Sequence, residues 1–79
     1  MGNYDPELTL DLKGLSCPIP VIKISQKVKE LEQGVIIEAL TTDPGAKEDI
    51  PAWCESTGNE LLGIEEEGGI FKFYIKVKK

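Results

Sequence analysis

The chain has 79 residues, 41% hydrophobic and 29% charged, with 14 acidic against 9 basic side chains and no histidine. That length makes one small domain, burying about 60% of the surface its unfolded form exposes; a net charge of -5 argues against direct nucleic-acid binding, which normally needs a basic surface. The longest apolar runs are far short of the roughly 20 residues that cross a bilayer and no basic, apolar-cored leader opens the chain, so the expected setting is cytoplasmic, without membrane contact and with reduced thiols.

Leu8, Leu10 and Leu12 alternate with Thr9 and Asp11, the period-two pattern of a strand with one buried face, and Gly14 breaks the run. From Pro18 the period changes. Val21, Ile24, Val28 and Leu31 fall at helical spacing, Lys23, Gln26, Lys27 and Glu30 lie on other faces, and Gly34 is placed to stop the helix. Val35 to Leu40 is a short apolar run closed by Thr41, Thr42 and the turn residues Asp43, Pro44, Gly45 and Ala46, which suits a buried strand. Strand, helix and strand within about 30 residues form a crossover unit whose strands are parallel.

A second helix follows, with Ala46, Ile50, Trp53, Cys54 and Thr57 near one face and Gly58 at its end. Pro51 has no N–H to donate, which predicts that it falls in the first turn and that the helix starts near Lys47 or Glu48. Glu60 to Glu65 supplies a third strand, and Glu67, Gly68 and Gly69 a hairpin turn. In the last strand Phe71, Phe73, Ile75 and Val77 alternate with Lys72, Tyr74, Lys76 and Lys78, predicting one buried face and one wet face. The fold class predicted is α/β: a βαβαββ two-layer sandwich, one domain over residues 1–79 with its core at about 8–77, and both helices on one face of a four-stranded sheet.

Chemistry is narrowed by what is missing. Without histidine there is no Cys-His or Ser-His pair, and two cysteines 37 positions apart supply neither a CxxC dithiol nor the usual zinc spacing. No metal or other cofactor is expected. Glu65, Glu66 and Glu67 read as a solvated charged turn, and Gly68 and Gly69 lead into a strand, so they are no phosphate loop. Lys23 and Lys27 read as a solvated flank of the first helix, or as a small basic rim for an anionic sulfur or an acidic partner.

Cys17 stands apart. With Cys17 as N-cap, the four N–H groups that a helix start leaves without internal partners belong to residues 17 to 20, and Pro18 and Pro20 delete two of them. Ile19 is then left to donate near the sulfur, and the positive end of the helix dipole lowers the thiol pKa below its free value of about 8.5. Serine or aspartate would cap better, so cysteine here reads as a reactive thiol on a stiff turn. Cys54, beside Trp53 on an apolar helix face, reads as a packed core thiol. Asp43 is predicted to accept the N–H of residue 45 or 46 and to share a rim with Cys17.

Leu12, Gly14, Leu15, Cys17, Pro18 and Pro20 reproduce a GLxCPxP motif, and Gly34, Asp43, Pro44, Gly45, Asp49, Ile50, Pro51, Trp53, Cys54, Gly58, Glu60 and Leu61 a second one. On these residues the chain resembles the TusA/SirA/YedF family of sulfur-carrier proteins over residues 8 to 77. The resemblance implies a sandwich similar to the C-terminal domain of translation initiation factor three, with strand order 1-2-4-3 and strand four antiparallel to the rest. It also implies that Cys17 carries a persulfide, taken from a sulfur-donor protein such as a cysteine desulfurase or a rhodanese-like protein and passed to an acceptor protein, as in tRNA thiolation, molybdenum-cofactor assembly or other sulfur trafficking. Pro18, Ile19, Pro20 and Asp43 become the candidate partner-binding residues around it. Asn59 stands where many relatives carry histidine, so no acid–base role of that histidine transfers. The alternative is a regulatory or structural binding module in which Cys17 is only a cap and the open sheet face around Lys72, Tyr74 and Lys76 meets a protein.

Overall fold

The alternating stretches become four strands and the helical ones two helices in the computed structural model, which describes residues 5–16 and 18–78. In chain order they are β1 (Leu8–Asp11), α1 (Ile19–Val28), β2 (Ile36–Thr41), α2 (Ala46–Thr57), β3 (Glu60–Glu67) and β4 (Ile70–Lys76). The sheet runs β1-β2-β4-β3, with β1 and β2 parallel and β4 antiparallel to both of its neighbours. This is the expected mixed sandwich, with the last strand inserted between the second and third.

Register explains the single core. Ile37 pairs with Ile75 and Ala39 with Phe73 across β2 and β4, and all four are buried with Ile24 and Val28 of α1 and Ala46, Ile50 and Cys54 of α2. Full burial of a large apolar side chain contributes about 1.5–3 kcal/mol, so this cluster joins both helices to one face of the sheet. The β3–β4 connection is the two-residue loop Gly68-Gly69 with φ of 58° and 82°, the doubly left-handed geometry of a type I′ hairpin turn. The third strand runs two residues further than expected, because Glu66 and Glu67 remain paired with Phe71 and Ile70.

Three expectations are corrected. Helix α1 stops at Val28 instead of continuing to Gly34: Glu30 N–H and Leu31 N–H donate to Lys27 and Val28 carbonyls at 3.0 and 3.1 Å, a tightened turn that keeps Leu31 against the core. Gly34 instead joins the sheet, donating its N–H to the Val77 carbonyl at 2.7 Å. Helix α2 starts at Ala46, so Pro51 lies in its second turn. The first turn is tight, with Ala46, Lys47 and Glu48 N–H groups donating to Asp43, Pro44 and Gly45 carbonyls, and Pro51 leaves the ladder without a donor toward Lys47. Tyr74, expected on the wet face, is only 4% exposed. It does lie opposite the helices, paired with Glu38, but its hydroxyl is taken up by the Glu38 and Glu65 carboxylates and does not stand free in solvent.

Candidate functional site

Parallel pairing of β1 with β2 brings their carboxyl ends to the same rim. Leu12 N–H extends the pairing by one rung beyond β1, donating to the Leu40 carbonyl at 2.8 Å. The chain then turns at once: Leu15 N–H donates to the Leu12 carbonyl at 3.2 Å, with Gly14 at the third position at φ 83°. A type II turn demands that backbone at that position, which is why glycine stands there. Gly14 N–H, pointing away from the turn's own bond, donates to Thr42 Oγ1 at 3.0 Å.

The helix start differs from expectation. Pro18, with φ -96° and ψ 11°, is the N-cap, and among the described residues no side chain caps the helix. Ile19 N–H is not left open: it donates to the Ser16 carbonyl at 3.0 Å, and the first helical rung is Ile22 N–H to the Pro18 carbonyl at 3.1 Å. A tight turn captures the Ile19 donor first and moves the helix one residue along. Pro20 falls in the first helical turn, where its missing N–H has no intrahelical role, and its ring is fully buried. Cys17 lies outside the described residues. Its chain neighbours Ser16 and Pro18 are exposed.

Between and beyond the prolines, α1 shows Ile19 and Ile22 to solvent at 39% and 44% exposure. Three residues apart, they share a helix face that is not the core face of Ile24 and Val28. Sequence reasoning left Ile22 unassigned; the available signal was that it falls off the Val21, Ile24, Val28 stripe. Lys23 is exposed on the same helix. Lys27 belongs to the last turn and pairs with Glu30 at 3.5 Å, about 12 Å along the axis from the helix start, so it is no part of a rim at that start.

Asp43 organises the second turn of the rim. Gly45 N–H donates to Asp43 Oδ1 at 3.2 Å, and Asp43 N–H donates to Thr41 Oγ1 at 3.0 Å. Thr41 is fully buried whereas Thr42 is exposed, the alternation of a strand end, and Thr42 is the residue that links this turn to the one leading to Cys17. Sequence reasoning used Thr42 only to close the strand.

The other thiol is of a different kind. Cys54 is a free cysteine at 3% exposure, and burial pushes its pKa up to about 11. Asn59 is also buried: its Oδ1 accepts the Lys78 N–H at 2.8 Å and its Nδ2 donates to Thr57 Oγ1 at 2.8 Å. It clips the start of β3 to the end of β4, beside a groove of about 440 Å³ lined by Val28, Trp53 and Lys78. Among the described residues no group of acidic or thiol side chains is placed to hold a metal ion, and no helix is long and apolar enough to cross a membrane.

The fold and this rim define a class: small α/β sandwiches of order β1-β2-β4-β3 in which a Cys-Pro-x-Pro segment joins the first strand to the first helix. Within that class the chain belongs to the TusA family, whose model, described as sulfurtransferase TusA, matches residues 8–77. It is 40% identical to the sulfur carrier protein TusA of Allochromatium vinosum, over 96% of this chain and 97% of that one. To the sulfur carrier protein TusA of Pseudomonas putida strain GB-1 it is 38% identical, over 99% of this chain and 98% of the other. Longer relatives also match: proteins of Aquifex aeolicus and Bacillus subtilis are 43% and 42% identical, over 96% and 87% of this chain, which spans only 39% and 37% of their lengths. Among solved structures, the SirA-like protein of Desulfitobacterium hafniense superposes with a TM-score of 0.79 at 26% identity, covering 91% of this chain and 99% of that one.

Proposed function

We propose that this chain is a sulfur carrier whose persulfide is borne on Cys17. In the step envisaged, the Cys17 thiolate attacks the outer sulfur of a persulfide on a donor protein. A new S–S bond forms on Cys17, the donor's S–S bond breaks, and the donor cysteine leaves as a thiolate that takes up a proton. The same exchange, run toward an acceptor thiol, releases the sulfur. No external oxidant or reductant enters, and the chain's own groups need only hold and present the thiol.

The observation that carries this reading is the contrast between the chain's two cysteines. Cys54 is enclosed in the core with a suppressed thiolate, whereas the residues flanking Cys17 are exposed, next to the apolar pair Ile19 and Ile22. A relay partner needs access and a docking surface, and the described residues on either side of Cys17 offer both, whereas the surroundings of Cys54 do not. Family membership and the names of the full-length relatives support the same reading. The binding-module alternative is weakened by Tyr74 and Lys72, which are engaged within the fold by Glu38 and Glu67, and by an α1 cap that is Pro18.

The test is intact-mass analysis after incubation with a cysteine desulfurase and cysteine, or with a rhodanese-like donor. One added sulfur is expected, on the peptide containing Cys17; Cys17→Ser abolishes it and Cys54→Ser retains it. Sulfur on Cys54, or surviving in Cys17→Ser, overturns the site. No loading from either donor overturns the relay.

A further inference from the structure

We propose that Thr42 is a positioning residue for Cys17, its hydroxyl holding the β1–α1 connection in place through the N–H of Gly14. This rests on the sulfur-carrier reading for its biological meaning, but the physical claim stands on the geometry of the rim. The connection has a tight turn at each end. At the first, Leu12 is fixed to β2 through Leu40, and Leu15 N–H closes on Leu12; at the second, Ser16 takes the Ile19 N–H at the start of α1. Only Ser16 and Cys17 lie between Leu15 and Pro18, so the placement of the first turn governs where this short span sits.

The turn's internal bond fixes its shape, not its tilt relative to the sheet. Tilt is restrained by Gly14 N–H reaching Thr42 Oγ1, 28 positions away in sequence at 3.0 Å. Thr42 is in turn held by its neighbours: Thr41 is buried and accepts the Asp43 N–H, and Asp43 accepts the Gly45 N–H. The anchor therefore stands on a braced turn rather than on a loose loop. Because the bond is exposed, removing it has little effect on global stability. A shift of the connection, however, alters the chain path from the anchored turn into the start of α1, whose positive end favours a thiolate.

The experiment compares the full chain with Thr42→Val, which keeps the branched shape and removes the acceptor, and Thr42→Ser, which keeps the hydroxyl. Three quantities are measured: sulfur loading rate from a desulfurase, the pH profile of Cys17 alkylation by iodoacetamide, and the denaturant midpoint. Thr42→Val is expected to slow loading roughly two- to tenfold, the range of one lost neutral hydrogen bond, and to shift the alkylation profile while the midpoint hardly moves. Thr42→Ser is expected to restore both. Wild-type kinetics and an unshifted alkylation profile in Thr42→Val overturn the proposal, as does a Thr42→Ser chain as impaired as Thr42→Val. If the wild type loads no sulfur, the carrier reading fails, and the alkylation comparison still decides the role of Thr42.

Discussion

Tyr74 Oη donates to Glu38 Oε2 across 2.8 Å on the face of the sheet that carries no helix, and Glu65 Oε1 lies 3.5 Å from the same hydroxyl. Glu38 also accepts from Thr9 Oγ1 at 3.1 Å, so all four strands meet in one polar cluster. Burial, then the hydrogen bond and charge of Glu38 and the charge of Glu65, raise the phenol pKa well above its usual value.

Tyr74→Phe should therefore cost about 1–2 kcal/mol, since it removes a donor to a carboxylate. The sign of the pH effect follows from the raised pKa. The tyrosine's contribution is complete below about pH 10, where the unfolded phenol keeps its proton, and is lost as pH rises through the folded value. Urea unfolding of both chains at pH 8 and pH 11 checks this: the gap should narrow at pH 11, and an equal gap at both would show that the hydroxyl's protonation is not linked to folding.

Asp43→Ala should destabilise by about 1 kcal/mol, the scale of losing one side-chain acceptor at a helix start. Asp43→Asn keeps the oxygen that accepts the Gly45 N–H and should lose less. Thermal melts of the pair separate the oxygen from the charge. If Asn is as damaging as Ala, charge is what matters at this turn.

Asn59→Ala should cost roughly 2 kcal/mol, because it strands the Lys78 N–H that the buried amide accepts and leaves a small void. The amide does not titrate, so the loss should be the same at pH 5 and pH 8. A loss that varies between those values would point to an ionisable neighbour instead.

The two thiols should differ in reactivity. At pH 8 iodoacetamide should label the Cys17 peptide of the native protein and leave Cys54 untouched, while both react after unfolding; peptide mapping reads this directly. Stability that comes from keeping Cys54 protonated is complete below the ordinary thiol range and declines as pH rises toward about 11. Native labelling of Cys54 at pH 8 would mean that the core opens far more often than its packing implies.

Much of this fold is legible in the sequence because burial periodicity is strong: Phe71, Phe73, Ile75 and Val77 define the last strand, and its antiparallel place between β2 and β3 follows from the family resemblance. What periodicity does not encode is how neighbouring side chains close over a face. Tyr74 belongs to the outward set yet is buried, its hydroxyl bonded to Glu38 and Glu65, which come from other strands. Local rules also compete. Gly34 is a good helix stop, yet the chain tightens at Lys29 and uses that glycine to meet Val77; Pro51 favours a first turn, yet the turn bonds of residues 43–46 start the helix earlier. Cys17 and its prolines were legible as a motif, while Thr42 was not, because its role is a contact between residues 28 positions apart.

The sheet order has a consequence for how the molecule assembles. Strands β3 and β4 are joined by two residues and can zip together locally, whereas β1 must find β2 across an intervening helix and then has no second neighbour among the described residues. Closing that longer loop costs more entropy before any contact rewards it. The rim between β1 and α1 is thus expected to organise last and to open first, at a free energy below that of global unfolding. Amide exchange should show it, with Leu10 and Leu12 exchanging well before Phe73 and Ile75; equal protection would mean that the sheet opens only as one unit.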